Sequence, residues 1–230
     1  MNVVYAVTRN FYDKILPSIY SLREHNPDVK IYVIAEDDSV GIPVEVINIS
    51  DQKFFTEDNV NYFNRYTYIN LLKVCYPSLL PCDKVLHLDA DTIVCDSLEQ
   101  FWETDLTDKW VAAVDEVRGN YHPFGVHYYN MGVALINLDQ MRKDKVEPIM
   151  VDYLNSKRQP WADQDAWNEI GLKWRKFVEV DVRYNENFAT GQTDNPAIVH
   201  YCGIQKWYEC RHNMPRVEYL LNVKNKFGIV

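Results

Sequence analysis

Short runs of β-branched and aromatic residues alternate along the chain with stretches whose apolar positions fall at helical spacing. Residues 2–7 (NVVYAV), 29–35 (VKIYVIA) and 44–49 (VEVINI) read as strands, and residues 84–88 (KVLHL) as a fourth. Between them, residues 11–24 carry a helical pattern that must accommodate Pro17, and residues 61–76 predict a helix closing at Pro77. This alternation predicts an α/β domain with a mixed, mostly parallel central sheet flanked by helices. The second half is less regular. Residues 110–116 and 128–138 predict strands joined by a loop over 117–125, and residues 139–156 a helix kinked at Pro148. Residues 161–170 read as a loop entering a short helix, 176–185 and 197–202 as strands, and about 214–226 as a closing helix. With no internal repeat and no linker-like stretch, residues 1–230 are expected to form a single domain.

Composition adds little to this pattern. The chain is 47% hydrophobic and 25% charged, which argues against disorder. Its formal net charge of −9 speaks against nucleic acid as a partner, yet leaves room for a phosphorylated small molecule met by a metal ion or a local basic patch. No apolar run approaches the ~20 residues of a membrane span, and the first residues lack a secretory pattern. The 5 cysteines include no CxxC pair, which fits reduced thiols better than a disulfide frame. Together these predict a cytoplasmic protein. Arg211, Arg216, Lys224 and Lys226 near the carboxyl terminus allow at most peripheral contact with a membrane face. A packed terminal helix with a solvated basic face is the simpler reading.

Chemistry enters at residues 84–93, KVLHLDADTI, where an apolar strand runs into two aspartates. Carboxylates at a buried strand end require a cationic partner. On extended chain, residues i and i+2 point the same way, so Asp89 and Asp91, either side of Ala90, can reach one point. Paired carboxylates suit Mg²⁺ or Mn²⁺. A capping aspartate beside a solvated one is the competing reading. His200, in IVHYCGIQKW, also sits where an apolar strand gives way to a loop, and an imidazole ligand shifts the preference toward Mn²⁺. Lys206 follows, past Gly203, which could let the loop turn tightly. A metal site beside a lysine is suited to a diphosphate.

The segments KVLHLDADTIV, YYNMGVALINL, WADQDAWN and IVHYCGIQKW occur in that order and resemble the blocks of glycosyltransferase family 8, to about residue 208. That resemblance implies a GT-A fold, the Rossmann-like fold of nucleotide-diphospho-sugar transferases. It implies a UDP-hexose donor, with Mn²⁺ (or Mg²⁺) held by Asp89, Asp91 and His200. It further implies transfer of glucose or galactose, with retention, to a glycan, lipid-linked or protein acceptor in bacterial glycan, lipopolysaccharide or capsule synthesis. By the same match, Ala6, Thr8, Asn10 and Tyr12 would sit near the nucleotide, and Lys73 beside the donor phosphates and sugar. Asp115, Asn130, Asp163 and Gln164 would line the donor sugar, while Lys206 with Gly203 would grip the pyrophosphate.

The chain departs from the family pattern at Met131, where a small residue is usual, and at Trp207, where proline usually follows the lysine. Several of these residues also have plainer readings. Asp115 could cap a turn, Asn130 could satisfy backbone, Asp163 could cap a helix, Asp165 could face solvent, and Lys73 could be a solvated helix lysine. For catalysis, Gln164 is expected to stabilise the sugar's cationic centre during front-face attack, with Asp163 or Asp165 as the alternative nucleophile. Two other functions fit fewer residues. LDADTIV also resembles the DxDxT motif of haloacid-dehalogenase-type phosphatases, but three strands precede it and His200 would have no role. A degenerate transferase that binds without turnover would not need all three metal ligands.

Overall fold

The computed structural model describes residues 1–63, 67–116, 126–204, 206–211 and 213–229; the expected loop over 117–125 lies outside them. In chain order the first half comprises β1 (Asn2–Val7), a 3-10 turn (Arg9–Phe11), α1 (Leu16–His25), β2 (Lys30–Ala35) and β3 (Glu45–Asn48). A 3-10 helix (Tyr68–Cys75) then runs into α2 (Tyr76–Leu79), followed by β4 (Lys84–Leu88), β5 (Thr92–Val94) and α3 (Glu99–Trp102). Next come β6 (Val111–Asp115), β7 (Tyr129–Asn137), α4 (Leu138–Asp144) and α5 (Val146–Ser156). The chain closes with α6 (Asp163–Lys173), β8 (Phe177–Glu179), β9 (Ile198–His200) and α7 (Val217–Phe227).

Seven strands form one sheet in the order β3-β2-β1-β4-β7-β6-β8. The four from β3 to β4 are parallel, β7 runs antiparallel to both of its neighbours, and β8 pairs parallel with β6. Side chains alternate between two cores: Val4, Ile34, Val85 and Ile136 pack on one face, and Val3, Val33, Leu86 and Leu135 on the other. Both faces being covered explains why the strands read as continuous apolar runs.

Several elements differ from the pattern-based expectation. The helix over 61–76 is in the structure a 3-10 helix from Tyr68, and Pro77 opens α2 rather than ending the helix. Proline is accommodated in a first helical turn because its missing N–H has no intrahelical acceptor there. Pro17 sits in the first turn of α1 for the same reason. The helix over 139–156 breaks at Lys145, which takes a left-handed conformation, so Pro148 falls near the start of α5 and kinks nothing. The strand over 176–185 shortens to β8 and a 3-10 turn at Val182–Tyr184.

The three-residue strand β5, directly after the aspartates, is too short to show a periodicity of its own. It pairs antiparallel with β9, setting Thr92 opposite His200. This ribbon packs with α7 over a small third core. The basic residues of α7 have partners: Lys226 Nζ lies 2.6 Å from Glu24 Oε1 and Lys224 Nζ 3.2 Å from the Tyr208 carbonyl. No described helix is long and apolar enough to cross a membrane.

Candidate active site

At the carboxyl end of β4, the ribbon brings Asp91 and His200 together. The Tyr201 N–H donates to the Asp91 carbonyl at 2.8 Å, fixing the two chain segments side by side. The Thr92 hydroxyl donates to the Asp89 carbonyl at 2.9 Å and closes the turn between the aspartates. His200 Nε2 lies 3.2 Å from Asp91 Oδ1 and 3.8 Å from Asp89 Oδ2, and one ligand atom from each residue falls within 4.8 Å of the others. His200 is buried, and its Nδ1 meets Asn185 Oδ1 at 2.9 Å. An amide oxygen can only accept, so Nδ1 carries a proton and Nε2 is the atom aimed at the carboxylates.

Gly132 keeps this space open. A Cβ there would lie 2.7 Å from Asp89 Oδ2 and 2.9 Å from His200 Nε2, and closer still to His200 Cε1. Two carboxylates and an imidazole with a fixed tautomer, converging where no side chain intrudes, fit a divalent cation.

Behind the aspartates lies a buried polar chain. Lys73, only 3% exposed, projects from the 3-10 helix to the Met131 carbonyl at 3.0 Å and to Asp89 Oδ1 at 3.4 Å. Its Nζ is also 3.4 Å from Asp163 Oδ2, a charge contact without the alignment of a hydrogen bond. Burial lowers the lysine's proton affinity, but Asp163 and Asp89 outweigh it and hold its pKa above the usual value. Burial likewise pushes Asp163 up to about 6, despite Lys73. Asp89 goes the other way: Lys73, then His87 and His200, overcome its desolvation and hold it well below the usual carboxylate range. For His200, burial is outweighed by Asp91 and Asp89, and its pKa is raised.

The neighbouring wall is built on β7 and α6. Asn168 accepts from the Tyr129 N–H at 2.7 Å and donates to its carbonyl at 2.9 Å, pinning α6 against β7. One helical turn earlier, Gln164 lies on the same face. Its Oε1 accepts from the Met131 N–H at 3.0 Å and its Nε2 donates to Glu116 Oε1 at 3.2 Å. Asn130 Nδ2 donates to the same Glu116 oxygen at 2.9 Å, while Asn130 Oδ1 accepts from Asn185 at 2.9 Å. A continuous hydrogen-bond path thus runs from Gln164 through Glu116, Asn130 and Asn185 to His200.

The remaining expected residues are placed as follows. Ala6 is half-buried on β1, and Ala90 is half-buried between the aspartates. Thr8 donates to Asn10 at 2.5 Å, and the Tyr12 hydroxyl accepts from the Asp37 N–H at 3.2 Å, so all three border the carboxyl end of β1. Asp115 is engaged away from Gln164: its Oδ2 meets His127 Nδ1 at 2.6 Å and its Oδ1 accepts from the Tyr128 N–H at 2.8 Å. Asp165 does not face solvent. It is 1% exposed and bound by the Tyr128 hydroxyl and the Trp161 N–H, at 2.6 and 2.9 Å. Gly203 takes φ +73, the left-handed turn that glycine permits. Lys206 is turned to Glu209 at 3.1 Å with its side chain 59% exposed, so the structure pairs it outside the aspartate cluster.

Glu116, Asn185 and His87 also belong to the site; of the three only His87 lies in one of the quoted segments, KVLHLDADTIV, and no role was expected of it there. The available signal for Glu116 was its position beside Asp115, since neighbours on an extended strand face opposite sides. Asn185 has no local signal; only β9 brings it to His200.

A family model described as glycosyl transferase family 8 matches residues 2–209. The chain is 29% identical over 227 residues to glycosyltransferase GlyA of Streptococcus pneumoniae serotype 4, covering 89% of this chain and 32% of GlyA. It is 21% identical to general stress protein A of Bacillus subtilis (strain 168), covering 88% of this chain and 84% of that protein. The chain therefore spans about a third of GlyA's length and most of the Bacillus protein's. Among solved structures, it resembles the galactosyltransferase LgtC in complex with donor and acceptor sugar analogs: TM-score 0.75, 22% identity, 98% of this chain and 96% of LgtC. It also resembles the glycosyltransferase GlyE of Streptococcus pneumoniae TIGR4, with TM-score 0.74, 21% identity, and coverage of 96% of this chain and 59% of GlyE. The shared architecture is the GT-A fold.

Proposed function

The chain belongs to glycosyltransferase family 8, and on that premise we propose that it is a retaining hexosyltransferase that moves glucose or galactose from a UDP-sugar to an acceptor hydroxyl. The observation that carries this reading is the convergence of Asp89, Asp91 and His200 around a space kept open by Gly132. In this reading the three hold Mn²⁺, with Mg²⁺ the alternative, and the acceptor is a glycan, lipid-linked or protein hydroxyl in bacterial glycan synthesis at the cytoplasmic face.

The bound ion would supply charge neutralisation at the sugar-linked diphosphate. The chain's own residues do the rest. Lys73 lies between Asp89 and Asp163 and ties the metal side of the site to the sugar side. Asp163, buried and with a pKa of about 6, suits a hydrogen bond to a sugar hydroxyl. Gln164 is held at both ends of its amide, by Met131 and Glu116, which fixes the one remaining lone-pair direction of Oε1. That oxygen would face the anomeric carbon and stabilise its positive charge as the diphosphate departs. The acceptor hydroxyl enters on the leaving-group face and gives its proton to the departing phosphate oxygen. An amide is a poor nucleophile, which favours this front-face course over a covalent intermediate. In this reading Thr8, Asn10 and Tyr12, at the carboxyl end of β1, would border the nucleotide.

The test is UDP release from UDP-glucose or UDP-galactose, with and without Mn²⁺. Replacing Asp91 with asparagine should slow release on the order of a hundredfold. Metal-dependent release of inorganic phosphate from a simple phosphomonoester, with no release of UDP, would sink the proposal.

A further inference from the structure

His87 lies within KVLHLDADTIV, on β4 two residues before Asp89, and is fully buried. Its Nε2 is 2.8 Å from Asp89 Oδ1, and its Nδ1 is 2.9 Å from the hydroxyl of Tyr76. An ionised carboxylate has no proton to give, so Nε2 must be the donor toward Asp89. Nδ1 is then left to accept, and the Tyr76 hydroxyl supplies the proton. Tyr76 is itself fully buried, so it has no water to turn to instead.

The consequence falls on Asp89. A carboxylate can rotate and offer a metal either oxygen, or both. Here Oδ1 is taken by His87 and approached by Lys73 at 3.4 Å, while Oδ2 is the oxygen facing His200 at 3.8 Å. Gly132 leaves room on the Oδ2 side and nothing else competes there among the described residues.

We propose that His87 is a positioning residue: oriented by Tyr76, it holds Asp89 Oδ1 so that Oδ2 alone is presented to the divalent cation. This rests on the metal-site reading above. An outer hydrogen bond of this kind is ordinarily worth 10–100-fold in metal affinity. The loss should appear in binding of the metal itself, and in the metal concentration needed for half-maximal rate, before it appears in the rate at saturating metal.

The test compares wild-type protein with His87→Phe, which fills the ring's volume without a donor, and His87→Gln, whose amide nitrogen can stand near the position of Nε2. Mn²⁺ binding is followed by the loss of the free-ion electron paramagnetic resonance signal, with Mn²⁺ alone and with Mn²⁺ plus UDP. The expected result is a 10–100-fold weaker Mn²⁺ dissociation constant in His87→Phe and substantial recovery in His87→Gln. A role confined to packing would lower thermal stability in both variants and leave Mn²⁺ affinity unchanged. Equal affinity in wild type and folded His87→Phe overturns the proposal alone; absence of Mn²⁺ binding by the wild type overturns the metal-site reading and the proposal with it. If His87→Phe does not fold, the imidazole ¹⁵N shifts of wild-type protein decide. A protonated Nε2 with unprotonated Nδ1 supports the proposal, and the opposite tautomer refutes it.

Discussion

Gly132→Ala offers a sharp test because one methyl group is added at the centre of the site. Gly132 lies within β7 with no positive φ, so alanine suits its backbone and only space opposes it. The new Cβ would sit 2.7 Å from Asp89 Oδ2 and 2.9 Å from His200 Nε2, against an ordinary non-bonded contact of ~3.5–4.0 Å. Each ligand atom must therefore retreat by about 1 Å. His200 cannot simply swing aside, because Asn185 holds its Nδ1 and β5 pairs with its backbone. Overpacking of this size costs ~1–3 kcal/mol, or a fall of roughly 2–12 °C in Tm for a chain of this length. Metal sites tolerate only about ±0.2 Å in ligand distance, so a 1 Å displacement should remove a ligand. Mn²⁺ affinity should then fall at least ~100-fold. Calorimetric titration with Mn²⁺ in the presence of UDP, alongside circular dichroism to establish folding, measures both effects. A folded Gly132→Ala protein that binds Mn²⁺ as tightly as wild type would show that these three side chains do not form the metal site.

Other outcomes follow from the same geometry. Lys73→Met leaves Asp89 and Asp163 without their buried cation and should destabilise the fold by ~3–5 kcal/mol, read from urea unfolding; a change below 1 kcal/mol would mean that the lysine is not buried between them. Asp163 keeps its proton to about pH 6 when folded, against 3.8 otherwise. The folded state thus binds more protons in that window, and stability from this group falls by ~3 kcal/mol as pH rises from about 4 to 6. Asp163→Asn should abolish that slope, so parallel wild-type and variant stability profiles would refute the assignment. Mn²⁺ at a hundred times its dissociation constant should add ~2.7 kcal/mol and raise Tm by about 5–10 °C, and a chelator should reverse it. Asn185→Leu removes the acceptor that sets the His200 tautomer and should weaken Mn²⁺ binding ~10-fold or more with UDP present; unchanged affinity would assign Asn185 to packing.

Much of the fold was legible because its strands are buried on both faces. β1, β2, β4 and β7 read as continuous apolar runs, and their order with the intervening helices indicates an α/β sheet. Asp89 and Asp91 were legible for a local reason, since i and i+2 on extended chain share a side. Contacts between distant segments left no such trace. β5 is three residues long, too short to announce itself, yet its pairing with β9 puts His200 against Asp91. Lys73 looks in sequence like any solvated helix lysine, and only packing encloses it between two carboxylates. The sequence singled out Asp115, but tertiary structure engages Asp115 with His127 and leaves Glu116 to hold Asn130 and Gln164. Local periodicity and spacing thus determined most strands of the sheet and which carboxylates share a side. Which side chains meet, and with what protonation, depended on long-range pairing and desolvation, which no short stretch of sequence encodes.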